Sequence, residues 1–81
     1  MSEIILITGA NGQLGSVLTP FLQEKHGINN VIASDIYKKD FFNGIFEIID
    51  ATDIKKLNKV VLKYKVTVIY HLAAILSANG E

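Results

Sequence analysis

The sequence predicts an α/β chain built on one parallel sheet. Apolar strand-like runs alternate with amphipathic helical stretches, and the first run is continuous enough to be buried on both faces. A glycine-rich turn then joins that run directly to a helix. At 81 residues the chain forms one small domain at most.

The elements follow in order. Glu3–Ile7 (EIILI) reads as the first strand, closed by Thr8-Gly9. Leu14, Val17, Leu18, Phe21 and Leu22 then fall at helical spacing and predict one apolar helix face. Pro20 sits inside that pattern and predicts a kink without a break, and Gly27 is a fitting stop. Val31–Ser34 (VIAS) predicts a second strand running into Asp35, followed by a patternless loop over 36–44. Ile45–Ile49 (IFEII) predicts a third strand ending at Asp50. Thr52 or Asp53 can cap a second helix, with Ile54, Leu57, Val60, Val61 and Tyr64 inward and Lys55, Lys56, Lys59 and Lys63 outward. Val66–Ala74 predicts a fourth strand. The order is β-α-β-loop-β-α-β, with right-handed crossovers.

Composition excludes several function classes. Hydrophobic residues make up 49% of the chain, enough for a packed core. Eight lysines balance eight acidic residues, and arginine is absent, so nothing points to nucleic acid or an anionic membrane. The lysine face of the second helix, with no interleaved aromatics, reads as a solvated face. Without cysteine there is no disulfide, zinc-thiolate site or cysteine nucleophile, and no residues show metal-ligand spacing. The longest apolar run, Val66–Leu76, is too short to span a bilayer, and the first apolar run leaves no room for a targeting peptide. The expected compartment is the cytoplasm.

Gly9, Gly12 and Gly15 form G-x-x-G-x-x-G between a strand and a helix, the arrangement that binds dinucleotides. The three glycines divide the work. Gly9 turns the chain off the strand, Gly12 lets a pyrophosphate approach bare backbone, and Gly15 packs the helix on the sheet. The helix N-terminus adds free N–H groups and the positive end of its dipole. Asp35 stands 20 residues after Gly15, where a carboxylate accepts bonds from the adenosine ribose hydroxyls. An acid there favours NAD over NADP, although Lys38 and Lys39 lie close in sequence. Asp50 could bond an adenine amino group or simply hold a turn. Ala73 and Ala74 would bring bare backbone near a nicotinamide, or are ordinary small-residue packing at a strand end. His71, inside an apolar run, reads as a core histidine, and Phe41-Phe42 as either a partner contact or a loop plug.

In this order, TGANGQLG, ASD, DATD and YHLAA resemble the N-terminal part of the extended short-chain dehydrogenase/reductase family, which includes nucleotide-sugar epimerases and dehydratases. NVIASDI and YHLAAILSANGE resemble more narrowly a branch that oxidises the hydroxyl of L-threonine. The resemblance implies a Rossmann fold with strand order 3-2-1-4, NAD as cofactor, a small amino-acid substrate and a homodimer. It places Gly9, Gly12 and Gly15 on the pyrophosphate, with backbone contacts from Asn11, Gln13 and Leu14. It places Asp35 on the ribose, Asp50 on adenine, Leu72, Ala73 and Ala74 beside the nicotinamide, and Ser77 on the substrate side.

The family's chemistry uses a Tyr-x-x-x-Lys pair with a nearby serine or threonine. Tyr37, Tyr64 and Tyr70 are followed four residues later by Phe41, Val68 and Ala74, so no catalytic residue is assigned in this stretch. The expectation is that residues 1–81 are the N-terminal part of a dinucleotide-binding domain from a longer enzyme. A non-catalytic nucleotide-binding remnant is the alternative if the protein has no more than these residues.

Overall fold

The computed structural model describes residues 3–73. Ala74 and Ser77, both singled out above, lie outside them. The elements are β1 (Ile5–Thr8), α1 (Gln13–His26), a 3-10 turn (Ile28–Asn30), β2 (Val31–Asp35), β3 (Ile45–Ile48), α2 (Ile54–Tyr64) and β4 (Val68–His71). The four strands form one parallel sheet in the order β3-β2-β1-β4, as expected. β4 is shorter than its apolar run, because Leu72 and Ala73 leave the strand after His71.

β1 is paired on both edges, to β2 from Ile5↔Val31 and to β4 from Ile5↔Val68. Its four residues are all buried, which is why Ile5, Leu6 and Ile7 read as a continuous apolar run. Alternation along the strands then divides the core in two. Ile5, Ile7, Val31, Ala33 and Leu72 pack on the α1 side with Leu22 and Phe42. Leu6 and Ile32 pack on the α2 side with Ile49, Val60 and, partly buried, Leu57, Val61 and Tyr64. The two helices therefore cover opposite faces, which fits right-handed crossovers to the two sides of β1.

The first helix corrects the apolar-face reading. Leu14, Val17 and Phe21 are 57%, 69% and 60% exposed, whereas Gly15, Thr19 and Leu22 are buried and Leu18 is partly so. The side that meets the sheet is chosen by size: Gly15 admits close approach, and Thr19 hides its hydroxyl by donating to Gly15 O at 2.7 Å. Pro20 lies within a helix that runs on to His26, and Gly27, at φ 97°, ends it by donating its N–H to Gln23 O. In α2, Asp53 rather than Thr52 is the cap, accepting from Lys56 N at 3.1 Å. Ile54 is exposed at the first turn, against expectation, because only the later turns reach the sheet.

The 36–44 loop is anchored by Phe42, buried in the α1-side core and near the Phe46 ring at 5.1 Å between centroids, while Phe41 stays exposed. Phe42 is thus a loop plug. His71 corrects another reading: it is exposed, at the end of β4, the outer strand of the sheet among the described residues.

Candidate nucleotide-binding site

The C-terminal ends of β1, β2 and β4 meet around the glycine loop. β1 sends its crossover to one face and the β3–β4 connection crosses on the other, so the crevice between β1 and β4 is the point where strand order reverses. Ligands of open α/β sheets bind in that crevice.

The three glycines of the motif are held differently. Gly9 sits at φ 72°, a left-handed conformation suited to glycine, and an added Cβ there would lie 2.8 Å from Ala73 N. At Gly15 an added Cβ would come within 2.6 Å of both Ala10 Cα and Gly9 O. Gly12 caps α1 at φ −69° and ψ 173°, a backbone conformation open to any residue. Packing thus explains Gly9 and Gly15, while the backbone conformation places no demand for glycine on Gly12.

α1 begins with no side-chain cap and no acidic residue in its first turn. Its first N–H groups and dipole end are left for an acceptor from elsewhere, a ready anion site. The loop is tied down on both sides. Ala10 N donates to Ser34 O at 3.0 Å, and Ser34 Oγ donates to Ile7 O at 2.7 Å. Thr8 Oγ1 lies 2.8 Å from His71 Nδ1 and accepts from Ala73 N at 3.4 Å. These hydroxyls carry no sequence signal beyond their places at strand ends.

Asp35 is half-buried at the end of β2 and joined to the loop. Its Oδ2 accepts from Asn11 N at 2.9 Å and its Oδ1 from Ile36 N at 2.8 Å. Gln13 and Leu14 open α1 with exposed side chains, and Leu72 is buried beneath the loop beside Ala73. The structure thus brings Gly9, Asn11, Gly12, Gln13, Leu14, Gly15, Asp35, Leu72 and Ala73 to one end of the sheet. Lys39, notable in sequence only as a nearby charge, donates to Asn11 O at 3.3 Å.

Asp50 lies two residues beyond β3 and holds a turn. Its Oδ1 accepts from both Thr52 N (2.9 Å) and Thr52 Oγ1 (2.7 Å), bonds that lower its pKa. It is exposed, and its turn leads into the α2 cap.

The donor set fits a dinucleotide: an uncapped helix N-terminus for phosphate and a carboxylate for hydroxyls. Among the described residues no cluster could hold a metal ion, and no helix is long and apolar enough to cross a membrane.

Comparison with known proteins agrees with this geometry. Residues 5–81 match the model of the NAD dependent epimerase/dehydratase family. A mitochondrial L-threonine 3-dehydrogenase of Bos taurus is 44% identical over 80 residues, covering 95% of this chain and 21% of the relative. An uncharacterized epimerase/dehydratase of Staphylococcus epidermidis is 42% identical over 81 residues, covering 95% of this chain and 26% of the relative. The X-ray structure of L-threonine dehydrogenase from Clostridium difficile superposes with a TM-score of 0.81 at 44% identity, covering 86% of this chain and 23% of that one. The chain spans about a quarter of the length of such relatives. With the family model matched from β1 onward, the chain belongs to the NAD dependent epimerase/dehydratase family.

Proposed function

We propose that this chain is the nucleotide-binding part of an NAD-dependent oxidoreductase that, as a longer protein, oxidises the hydroxyl of L-threonine to give 2-amino-3-ketobutyrate. The observation that supports it most is the placement of Asp35: an acceptor carboxylate fixed at the edge of a glycine cradle whose helix end is uncapped. The substrate rests on the threonine dehydrogenase relatives and on the AAILSA segment.

In this reading the glycine loop and the first N–H groups of α1 hold the pyrophosphate. Asp35 takes the adenosine ribose hydroxyls, and the Leu72–Ala73 backbone lies beside the nicotinamide. Bound NAD supplies the hydride acceptor. The proton of the substrate hydroxyl is handled by a tyrosine–lysine pair that these 81 residues do not contain, so the chain alone binds without turnover. The amino-acid substrate and a dimeric assembly belong to the longer protein.

A second reading within the same family, a nucleotide-sugar epimerase or dehydratase, is favoured by the staphylococcal relative at 42% identity. Titration calorimetry of the chain with NAD and NADP tests the shared part. NAD should bind, NADP should bind at least about tenfold more weakly, and Asp35→Ala should erase that difference. Binding of neither would sink the nucleotide reading. In the longer protein, threonine-dependent NADH formation separates the two substrate readings.

A further inference from the structure

We propose that Asn11 is a positioning residue that aims the Asp35 carboxylate at the adenosine ribose; this rests on the nucleotide reading above. Asn11 makes three ties to the segment that begins at Asp35. Its N–H donates to Asp35 Oδ2 at 2.9 Å, its side-chain Nδ2 donates to Tyr37 O at 2.7 Å, and its carbonyl accepts from Lys39 Nζ at 3.3 Å. One residue of the glycine loop thus clasps the start of the loop after β2.

The consequence for Asp35 is geometric. Each carboxylate oxygen is held by one main-chain N–H, Oδ2 from Asn11 and Oδ1 from Ile36. A carboxylate oxygen accepts about two hydrogen bonds, so each keeps one open position. Two such positions on one fixed carboxylate suit the vicinal hydroxyls of a ribose. A carboxylate free to rotate would offer them only part of the time.

The clasp carries a cost of its own. Asn11 Oδ1 is buried without a hydrogen-bond partner among the described residues. Turning the amide over would not cure this, because Oδ1 would then face the Tyr37 carbonyl. Alanine at this position would keep the main-chain bonds and remove the orphaned oxygen. What alanine cannot do is hold Tyr37 O, and through it the backbone that follows Asp35. Lys39 serves the same clasp from the other side: its ammonium is committed to Asn11 O and lies 5.9 Å from the centre of the Phe41 ring.

The test uses ADP and 2′-deoxy-ADP, which share the pyrophosphate and differ in one ribose hydroxyl. In the longer protein, the unsubstituted sequence should bind ADP at least about tenfold more tightly than 2′-deoxy-ADP, the worth of one charge-assisted bond. In Asn11→Ala, shown to be folded by circular dichroism, the preference should fall below about threefold. A folded Asn11→Ala that weakens both ligands equally, or neither, overturns the proposal, since a merely structural residue would not touch the ratio. If Asn11→Ala does not fold, Lys39→Met opens the clasp from its other end and should also lower the ratio; an unchanged ratio there overturns the proposal. Failure of the unsubstituted longer protein to bind ADP sinks the nucleotide reading itself, and this proposal with it.

Discussion

Thr8 Oγ1 and His71 Nδ1 lie 2.8 Å apart and join the ends of β1 and β4 beside the glycine loop. Thr8 is only 2% exposed, and the same hydroxyl oxygen accepts from Ala73 N. An oxygen that accepts from Ala73 can still donate its own proton to the ring nitrogen. Thr8→Val keeps the shape and removes the hydroxyl that bonds both His71 Nδ1 and Ala73 N. It should cost about 1–2 kcal/mol in urea unfolding. His71→Ala should cost less, because the Ala73 N–H bond to Thr8 Oγ1 remains and removing the exposed ring opens a way for water to the Thr8 hydroxyl.

Gly15→Ala sets two effects against each other. Alanine in a helix interior gains up to about 1 kcal/mol over glycine. Here the new methyl meets backbone atoms, Ala10 Cα and Gly9 O, at 2.6 Å, and backbone cannot swing aside. Overpacking of this kind costs about 1–3 kcal/mol, so the variant should be net destabilised in urea and should bind NAD more weakly because the loop moves with α1. A stabilised variant would show that the helix lifts freely.

Stability should depend on pH through Glu47 and Tyr64. The Tyr64 hydroxyl donates to Glu47 Oε2 at 2.5 Å, and Lys63 stands 3.4 Å from the same oxygen. The hydroxyl first, and Lys63 after it, hold the Glu47 pKa below its ordinary value, while the carboxylate raises the Tyr64 pKa. The glutamate contribution is complete above the ordinary carboxylate range and is lost as pH falls through the lowered value. The tyrosine contribution is complete below the ordinary phenol range and is lost as pH rises through the raised one. Tyr64→Phe should cost about 1 kcal/mol at neutral pH and flatten both limbs of a stability–pH curve. An unaltered acid limb would remove Tyr64 as its cause.

The first strand and the glycine turn are readable in the sequence because each rests on local chemistry, whereas the strand order 3-2-1-4 comes through the family resemblance. The buried run at Ile5–Thr8, the three spaced glycines and the acid at the end of β2 all fix their places in the fold within a few residues. The readings that the structure corrects share one cause: they equate apolar character with burial. Leu14, Val17 and Phe21 are apolar and exposed, while Gly15, where the helix comes too close to the loop for a side chain, and Thr19 occupy the buried side with Leu22. An apolar run suggests a core position for His71 in the same way, yet among the described residues β4 is paired to β1 alone. The ties from Asn11 to Tyr37 and Lys39 span 26 and 28 residues, and no periodicity announces them.

The double pairing of β1 also fixes an order of events. Its partner on one side, β2, begins at Val31; its partner on the other, β4, begins only at Val68. Closing the shorter span sacrifices less chain entropy, so β1, α1 and β2 can assemble first. During synthesis β2 is available to β1 before Val68–His71 has been made. The crevice beside the glycine loop acquires its second wall last, when β4 arrives.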